Sequence, residues 1–222
     1  MTVRNFFKEP AIIALVEAGE RGDEAKIQQL VKRGVDVNTV GQEGMTALMW
    51  ALGTQNKQGM RALLKVGANP NYIAPNGVST VTMAAGATDP ELLQILLAGG
   101  GNPNLKNHLG EPALFIAMSQ KRWANMRLLL DKGADINAVD KTGQTAILRA
   151  ASVNQFEQVA YLIQRGADFK IASAGGATVA LWVQENYVGQ ELPNYRWQQK
   201  VRTMLEARGV KFPVPRPWEQ NK

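Results

Sequence analysis

Residues 133–151 read GADINAVDKTGQTAILRAA, and they hold a helix end, a tight turn and the start of a further helix. Gly133 can adopt the positive φ that stops a helix. Asp140, Thr142 and Gly143 are turn formers, and Thr145 is placed to cap a helix whose Ile147, Ala150 and Ala151 fall at helical spacing. Moved by 33 residues in either direction, the pattern returns. The glycine ahead of the helix recurs at Gly44, Gly77, Gly110, Gly143 and Gly176, and the glycine behind the second helix at Gly34, Gly67, Gly100, Gly133 and Gly166. After the second series come Asp36, Asn69, Asn102, Asp135 and Asp168, then Asn38, Asn71, Asn104 and Asn137, with Lys170 breaking the last column. A period kept this long without a slip marks a repeat array, in which each unit buries its apolar side only against its neighbours.

Worked outward, the period predicts paired helices at 46–53 and 57–66, 79–87 and 90–99, 112–120 and 122–132, and 145–153 and 155–165. Leu63-Leu64, Leu96-Leu97, Leu129-Leu130 and Leu162-Ile163 align as a column of core aliphatics. In the first repeat Pro10 suits the first turn of a helix reaching Gly19. Asp23 then caps a helix from Glu24 to Arg33, with Ala25, Ile27, Leu30 and Val31 as its expected buried stripe, while Phe6 and Phe7 are placed to cover the open end. In the sixth repeat the helices run from Thr178 to Tyr187 and from Tyr195 to Arg208. The step from Gly166 to Gly209 is 43 residues, so ten extra residues enter near Val188-Gly189-Gln190-Glu191-Leu192-Pro193, where glycine and proline indicate a loop. That loop either meets a partner or only closes the array. Phe212, Pro213, Val214, Pro215, Pro217 and Trp218 suggest an extended tail along the last helices. The expected organisation is one array over 1–222: a capping repeat at 1–36, repeats over 37–172, and a terminal repeat with insert and tail at 173–222.

The 33-residue helix-turn-helix-hairpin unit resembles the ankyrin repeat over about residues 9–209. Where that family reads Thr-Pro-Leu-His, this chain has Thr46-Ala47-Leu48-Met49, Ser79-Thr80-Val81-Thr82, Pro112-Ala113-Leu114-Phe115, Thr145-Ala146-Ile147-Leu148 and Thr178-Val179-Ala180-Leu181. No histidine is kept, so the inter-repeat hydrogen bonds it makes in the family do not carry over. The resemblance implies an all-α solenoid of about six helix-turn-helix units with short hairpin turns. It also implies a concave face of first helices and hairpin tips that binds another protein.

Composition narrows the function. The chain has 222 residues, 45% of them apolar, and no cysteine, which excludes disulfides, thiolate metal sites and cysteine nucleophiles. His108 is the single histidine, no serine sits in a nucleophile elbow, and the phosphate-cradling GxxxxGK[ST] is absent. Asp131, Asp135 and Asp140 are spaced superficially like a calcium loop, but the other loop ligands are lacking. The expectation is therefore a non-enzyme with no cofactor and no metal. No apolar run is long enough to span a bilayer, and no signal core follows Met1. The net charge of +6 is concentrated at the end of the chain, since residues 196–222 carry seven Lys and Arg against Glu206 and Glu219. The array before it is nearly neutral. A basic end could meet an anionic surface, but no nucleic-acid motif accompanies it.

Candidate partner-binding residues follow from position within the unit. One first-helix column reads Trp50, Met83, Ile116, Arg149 and Trp182. Trp and Arg are favoured at binding hot spots, and Arg149 interrupts an otherwise apolar strip. The alternative is that the tryptophans fill space between repeats and Arg149 reaches past them to water. The hairpin tips offer Gln42, Glu43 and Met45; Asn76 and Val78; His108, Leu109 and Glu111; and Lys141, Thr142 and Gln144. Apolar Met45, Val78 and Leu109 on a solvated rim would favour a protein partner.

A narrower resemblance concerns Asn5-Phe6-Phe7, the segment from Gly41 to Ala51, and Tyr195-Arg196-Trp197-Gln198-Gln199-Lys200 followed by Phe212-Pro213-Val214-Pro215-Arg216-Pro217. These look like bacterial ankyrin-repeat immunity proteins paired with type VI secretion lipase effectors. That resemblance implies one-to-one binding and inhibition of a toxin by a protein monomeric when free. It also implies a periplasmic setting if a leader was removed, and a cytoplasmic one otherwise. The alternative is a scaffold or regulator tethering an endogenous bacterial protein.

Overall fold

A computed structural model describes residues 2–219. The chain divides into two compact units, Met1–Ala134 and Asp135–Lys222. The first unit contains α1 (Val3–Phe6), α2 (Pro10–Arg21), α3 (Glu24–Lys32), α4 (Ala47–Gly53), α5 (Lys57–Lys65), α6 (Thr80–Ala85), α7 (Pro90–Ala98), α8 (Ala113–Ser119) and α9 (Trp123–Asp131). The second contains α10 (Ala146–Ser152), α11 (Phe156–Gln164), α12 (Val179–Glu185) and α13 (Pro193–Glu206). Among the described residues the regular structure is helical, apart from isolated antiparallel bridges such as Ile73 with Ser79 and Val139 with Thr145 that close the hairpins.

The helix starts are set by side chains. Asp23, Thr46, Asn56, Thr145 and Thr178 each accept a backbone N–H from the first turn of the following helix, and Ser79 and Thr82 form a reciprocal capping box. Leu63, Leu93, Leu96, Leu129 and Leu162 are sealed from solvent. The stripe expected on α3 is narrower than its sequence suggests. Ile27 and Leu30, on the side packed against α2 and α5, are buried, but Ala25 is exposed and Val31 half-buried. Phe6 and Phe7 are buried at the amino-terminal end, Phe6 closing the four-residue helix α1 and Phe7 following it in extended backbone; so short a helix carries no periodic signal.

Two sets of side-chain amides join successive repeats. Along the hairpins of the first unit, Asn38 Nδ2 donates to the Gly67 carbonyl at 3.0 Å while its Oδ1 accepts from Asn69 N–H at 2.7 Å. Asn71 repeats this with Gly100 and Asn102 at 2.9 and 2.7 Å, and Asn104 reaches the Gly133 carbonyl. In the second unit Asn137 accepts from Asp168 N–H at 2.8 Å. At the opposite ends of the helices, buried Asn125 donates to the carbonyls of Ala84, Ala85 and Ala87 in the preceding repeat, and Asn186 to that of Ala151. These amides tie repeats together where the family's histidine is missing, and they satisfy carbonyls that a helix end leaves open.

The ten-residue insert makes a short turn, closed by Leu192 N–H on the Gly189 carbonyl at 3.0 Å, before α13 begins. After α13 the tail returns to α12. Gln184 exchanges hydrogen bonds with Val214 N–H and carbonyl at 2.7 and 3.2 Å, and Arg216 makes a forked pair with Glu185 at 3.0 and 2.9 Å. The guanidinium lowers the Glu185 carboxyl below the ordinary range. The side chain of Trp218, counted in the tail from sequence, lies outside the described residues.

Candidate functional site

In the first unit the helices α4, α6 and α8 stack in succession and place Trp50, Met83 and Ile116 in one column. The helix period leaves these positions on the solvent side, between buried neighbours such as Met49 and Ala51. Met83 is 37% exposed, whereas Trp50 and Ile116 are half-buried. Trp50 has a structural duty: its ring lies 5.7 Å from that of Phe6 at 59°, and its indole N–H donates to Glu20 at 3.3 Å. It therefore fastens α1 to α2 and α4.

The hairpins of this unit present the other candidates. Gln42 and Glu43 are exposed on a tight turn, with Glu43 at a φ of 57°, and Met45 behind them is half-buried. Asn76 is exposed and accepts from Val78 N–H at 3.0 Å, while Val78 is half-buried. His108 and Leu109 are exposed, Leu109 at 52%, and half-buried Glu111 accepts from the Asn107 amide at 3.0 Å. Of the three apolar tip residues only Leu109 is fully displayed, Met45 and Val78 being half-buried. Gly77 fixes the spacing here, since its φ of 73° and its contact with the His108 backbone leave no room for a Cβ.

In the second unit Arg149 on α10 and Trp182 on α12 are both half-buried. Lys141 is exposed, and the half-buried Gln144 donates its N–H to Asp140 at 3.1 Å. Burial works to raise the Asp140 carboxyl, but hydrogen bonds from Thr142 and Gln144 and the charge of Arg149 outweigh it, so its pKa lies below the ordinary value. Arg149 thus has an electrostatic counterpart within its own repeat, which the sequence column did not reveal. Asp140 begins the hairpin from which α10 follows, and the pairing across that turn was the available signal.

Among the described residues no group of His, Asp or Glu is disposed to hold a metal ion. No helix of these residues is long and apolar enough to cross a membrane.

Family models decide what this scaffold is. The model described as ankyrin repeats in three copies matches residues 80–173, and the single ankyrin-repeat model matches residues 43–74. The chain is an ankyrin-repeat protein. No curated protein matches it. Among solved structures it is similar to EF0377, an ankyrin repeat protein, with 25% identity and a TM-score of 0.70 over 86% of this chain and 97% of that one. It also resembles in fold the ankyrin repeat domain of Bcl-3, described as a unique member of the IκB family, with 23% identity and a TM-score of 0.74 over 92% of this chain and 89% of that one. Ankyrin repeats are protein–protein interaction modules.

Proposed function

We propose that this ankyrin-repeat protein holds one protein partner on the solvent side of its first helices and on its hairpin tips. In the first unit the contact would centre on Met83, Ile116 and Leu109, rimmed by Gln42, Glu43, Asn76 and His108. The exposed methionine on α6 carries the reading. It lies between the half-buried Trp50 and Ile116, so the column offers apolar area on a short rigid helix that loses little freedom on binding. In the second unit Arg149 and Trp182, with Lys141 and Gln144 at the tip, are the corresponding candidates. They combine a cation and an aromatic, the residue types enriched at hot spots.

The finer form of the proposal is that the partner is a secreted bacterial lipase effector and that binding blocks it, making this chain an immunity protein. It is supported by the sequence resemblance of the segments 5–7, 41–51, 195–200 and 212–217. The test is to mix the purified protein with the product of any lipase gene that neighbours its own. A one-to-one complex with lost lipase activity is expected, and Met83→Glu should break it without lowering the melting temperature. Absence of both binding and inhibition would refute the immunity reading. Binding without inhibition would leave a tethering module.

A further inference from the structure

The last helix and the insert ahead of it carry a surface that the partner-binding candidates do not use. Helical spacing puts Leu192, Arg196, Gln199, Lys200 and Thr203 on one side of α13. All five are exposed, while Gln198, Val201 and Leu205 on the opposite side are buried. Helix α13 packs against α11 and α12 through that buried side.

The cations of this stripe are not neutralised within the fold. Glu206 is taken by Arg202 at 3.1 Å, and Glu219 by Arg216 at 3.1 Å, with Arg216 also held on Glu185. The insert's acid, Glu191, folds back against Gly189. Arg196 makes no hydrogen bond or ion pair among the described residues, and the Lys200 ammonium lies over the Trp197 ring, 4.5 Å from its centroid, and not on a carboxylate. In the segment leading into α13, Tyr187 is 88% exposed, and Leu192, one helical turn before Arg196, is 50% exposed. They are five residues apart, so at most ~18 Å of chain separates them, and the turn at Gly189 shortens the span.

Unpaired cations select an anionic counterpart, and a tyrosine and a leucine held in water ahead of them select one with an apolar layer under its charge. We propose that α13 and the insert dock on an anionic lipid surface. Arg196 and Lys200 meet headgroup phosphates, while Tyr187 and Leu192 enter the interfacial layer. A nucleic acid would satisfy the cations and leave both apolar side chains in water. So few charges make the attachment reversible and sensitive to salt. This surface is separate from the proposed partner site, and either can fail without the other.

The test uses the full chain with vesicles. Sedimentation with phosphatidylcholine–phosphatidylglycerol vesicles is expected, none with phosphatidylcholine alone, and a loss of about tenfold in affinity when salt rises from roughly 50 to 500 mM. Arg196→Glu with Lys200→Glu should abolish binding, whereas Lys32→Glu with Arg33→Glu, an identical change in net charge on exposed α3 and its end, should preserve it. Tyr187→Ser with Leu192→Ser should weaken binding several-fold at an unchanged melting temperature. If the charge-reversed protein does not fold, Arg196→Gln with Lys200→Gln serves in its place. The proposal is overturned by absent binding, by equal binding to neutral vesicles, by equal loss in both charge-reversed proteins, or by retention on RNA or poly-glutamate but not on vesicles.

Discussion

Asn71→Ala removes a link between repeats and leaves everything within a repeat intact. The Asn71 amide spans the gap from one hairpin to the next, donating to the Gly100 carbonyl at 2.9 Å and accepting from Asn102 N–H at 2.7 Å. Each such neutral hydrogen bond contributes ~1 kcal/mol net, less where water can replace it, so the substitution should cost about 1–2 kcal/mol. In a chain of this size that corresponds to a fall of about 3–6 °C in melting temperature. The control is Asn76→Ala, whose side chain is exposed and makes only a bond within its own turn, to Val78 N–H. Thermal unfolding followed by circular dichroism measures both, and amide exchange should show lost protection in the hairpins on either side of the break. If Asn71→Ala melts with the parent protein, or no lower than Asn76→Ala, the amide column does not join the repeats and the reasoning fails.

Trp50→Ala should release α1, since it removes both the Phe6 ring contact and the bond to Glu20. An aromatic pair adds ~0.5–1.5 kcal/mol beyond its buried area, and faster exchange of the amides of Phe6 and Phe7 with little change elsewhere is the expected signature. Lys121 holds a φ of 55° at the turn between α8 and α9. A left-handed backbone costs a non-glycine residue ~1–2 kcal/mol, of which glycine's greater unfolded freedom takes back ~0.5–1. Lys121→Gly should therefore raise stability by about 0.5–1 kcal/mol in urea unfolding, and a loss would contradict it. Lys57 bridges Asp89 and Glu91, and Arg61 also reaches Glu91 at 2.8 Å. Hydrogen bonds from Lys57 hold both carboxyls below their ordinary values, with Arg61 adding to the effect on Glu91. Groups with depressed pKa give stability that is present above the unfolded value, near 4 for carboxyls to a rough approximation, and is lost as pH falls through the folded one. Melting temperature should thus fall on acidification, and Lys57→Met should flatten that fall. A Lys57→Met profile parallel to the parent's would remove the network from the account.

The columns that failed to appear in the sequence share a cause. Gly22, Gln55, Lys121 and Asn154 occupy one structural position with positive φ, but their chemistry differs, so no residue type marks the column. Arg149 stood in the sequence as an interruption of an apolar strip, and Trp50 as a large aromatic within it. Phe6 and Glu20 lie far enough from Trp50 in sequence that only folding shows them as its counterparts, whereas Asp140 stands in the same repeat as Arg149. Asn38, Asn71 and Asn104 were visible as a period, yet a period of turn residues does not say whether the amide closes its own turn or crosses to the next.

By itself the sequence determined the repeat, because the constraints that make one are local. Positive φ at the glycines behind the helices, capping hydroxyls at Thr46, Ser79, Thr145 and Thr178, and apolar residues at helical spacing each act within a few residues of chain. Tertiary structure decided which side chains stay exposed and which find counterparts. Met83 and Leu109 stay open, Trp50 is taken up by Phe6 and Glu20, and Arg216 is spent on Glu185 while Arg196 is not. Exposure and charge pairing depend on what the neighbouring repeat and the returning tail bring into contact, and that distance in space is not written in the spacing along the chain.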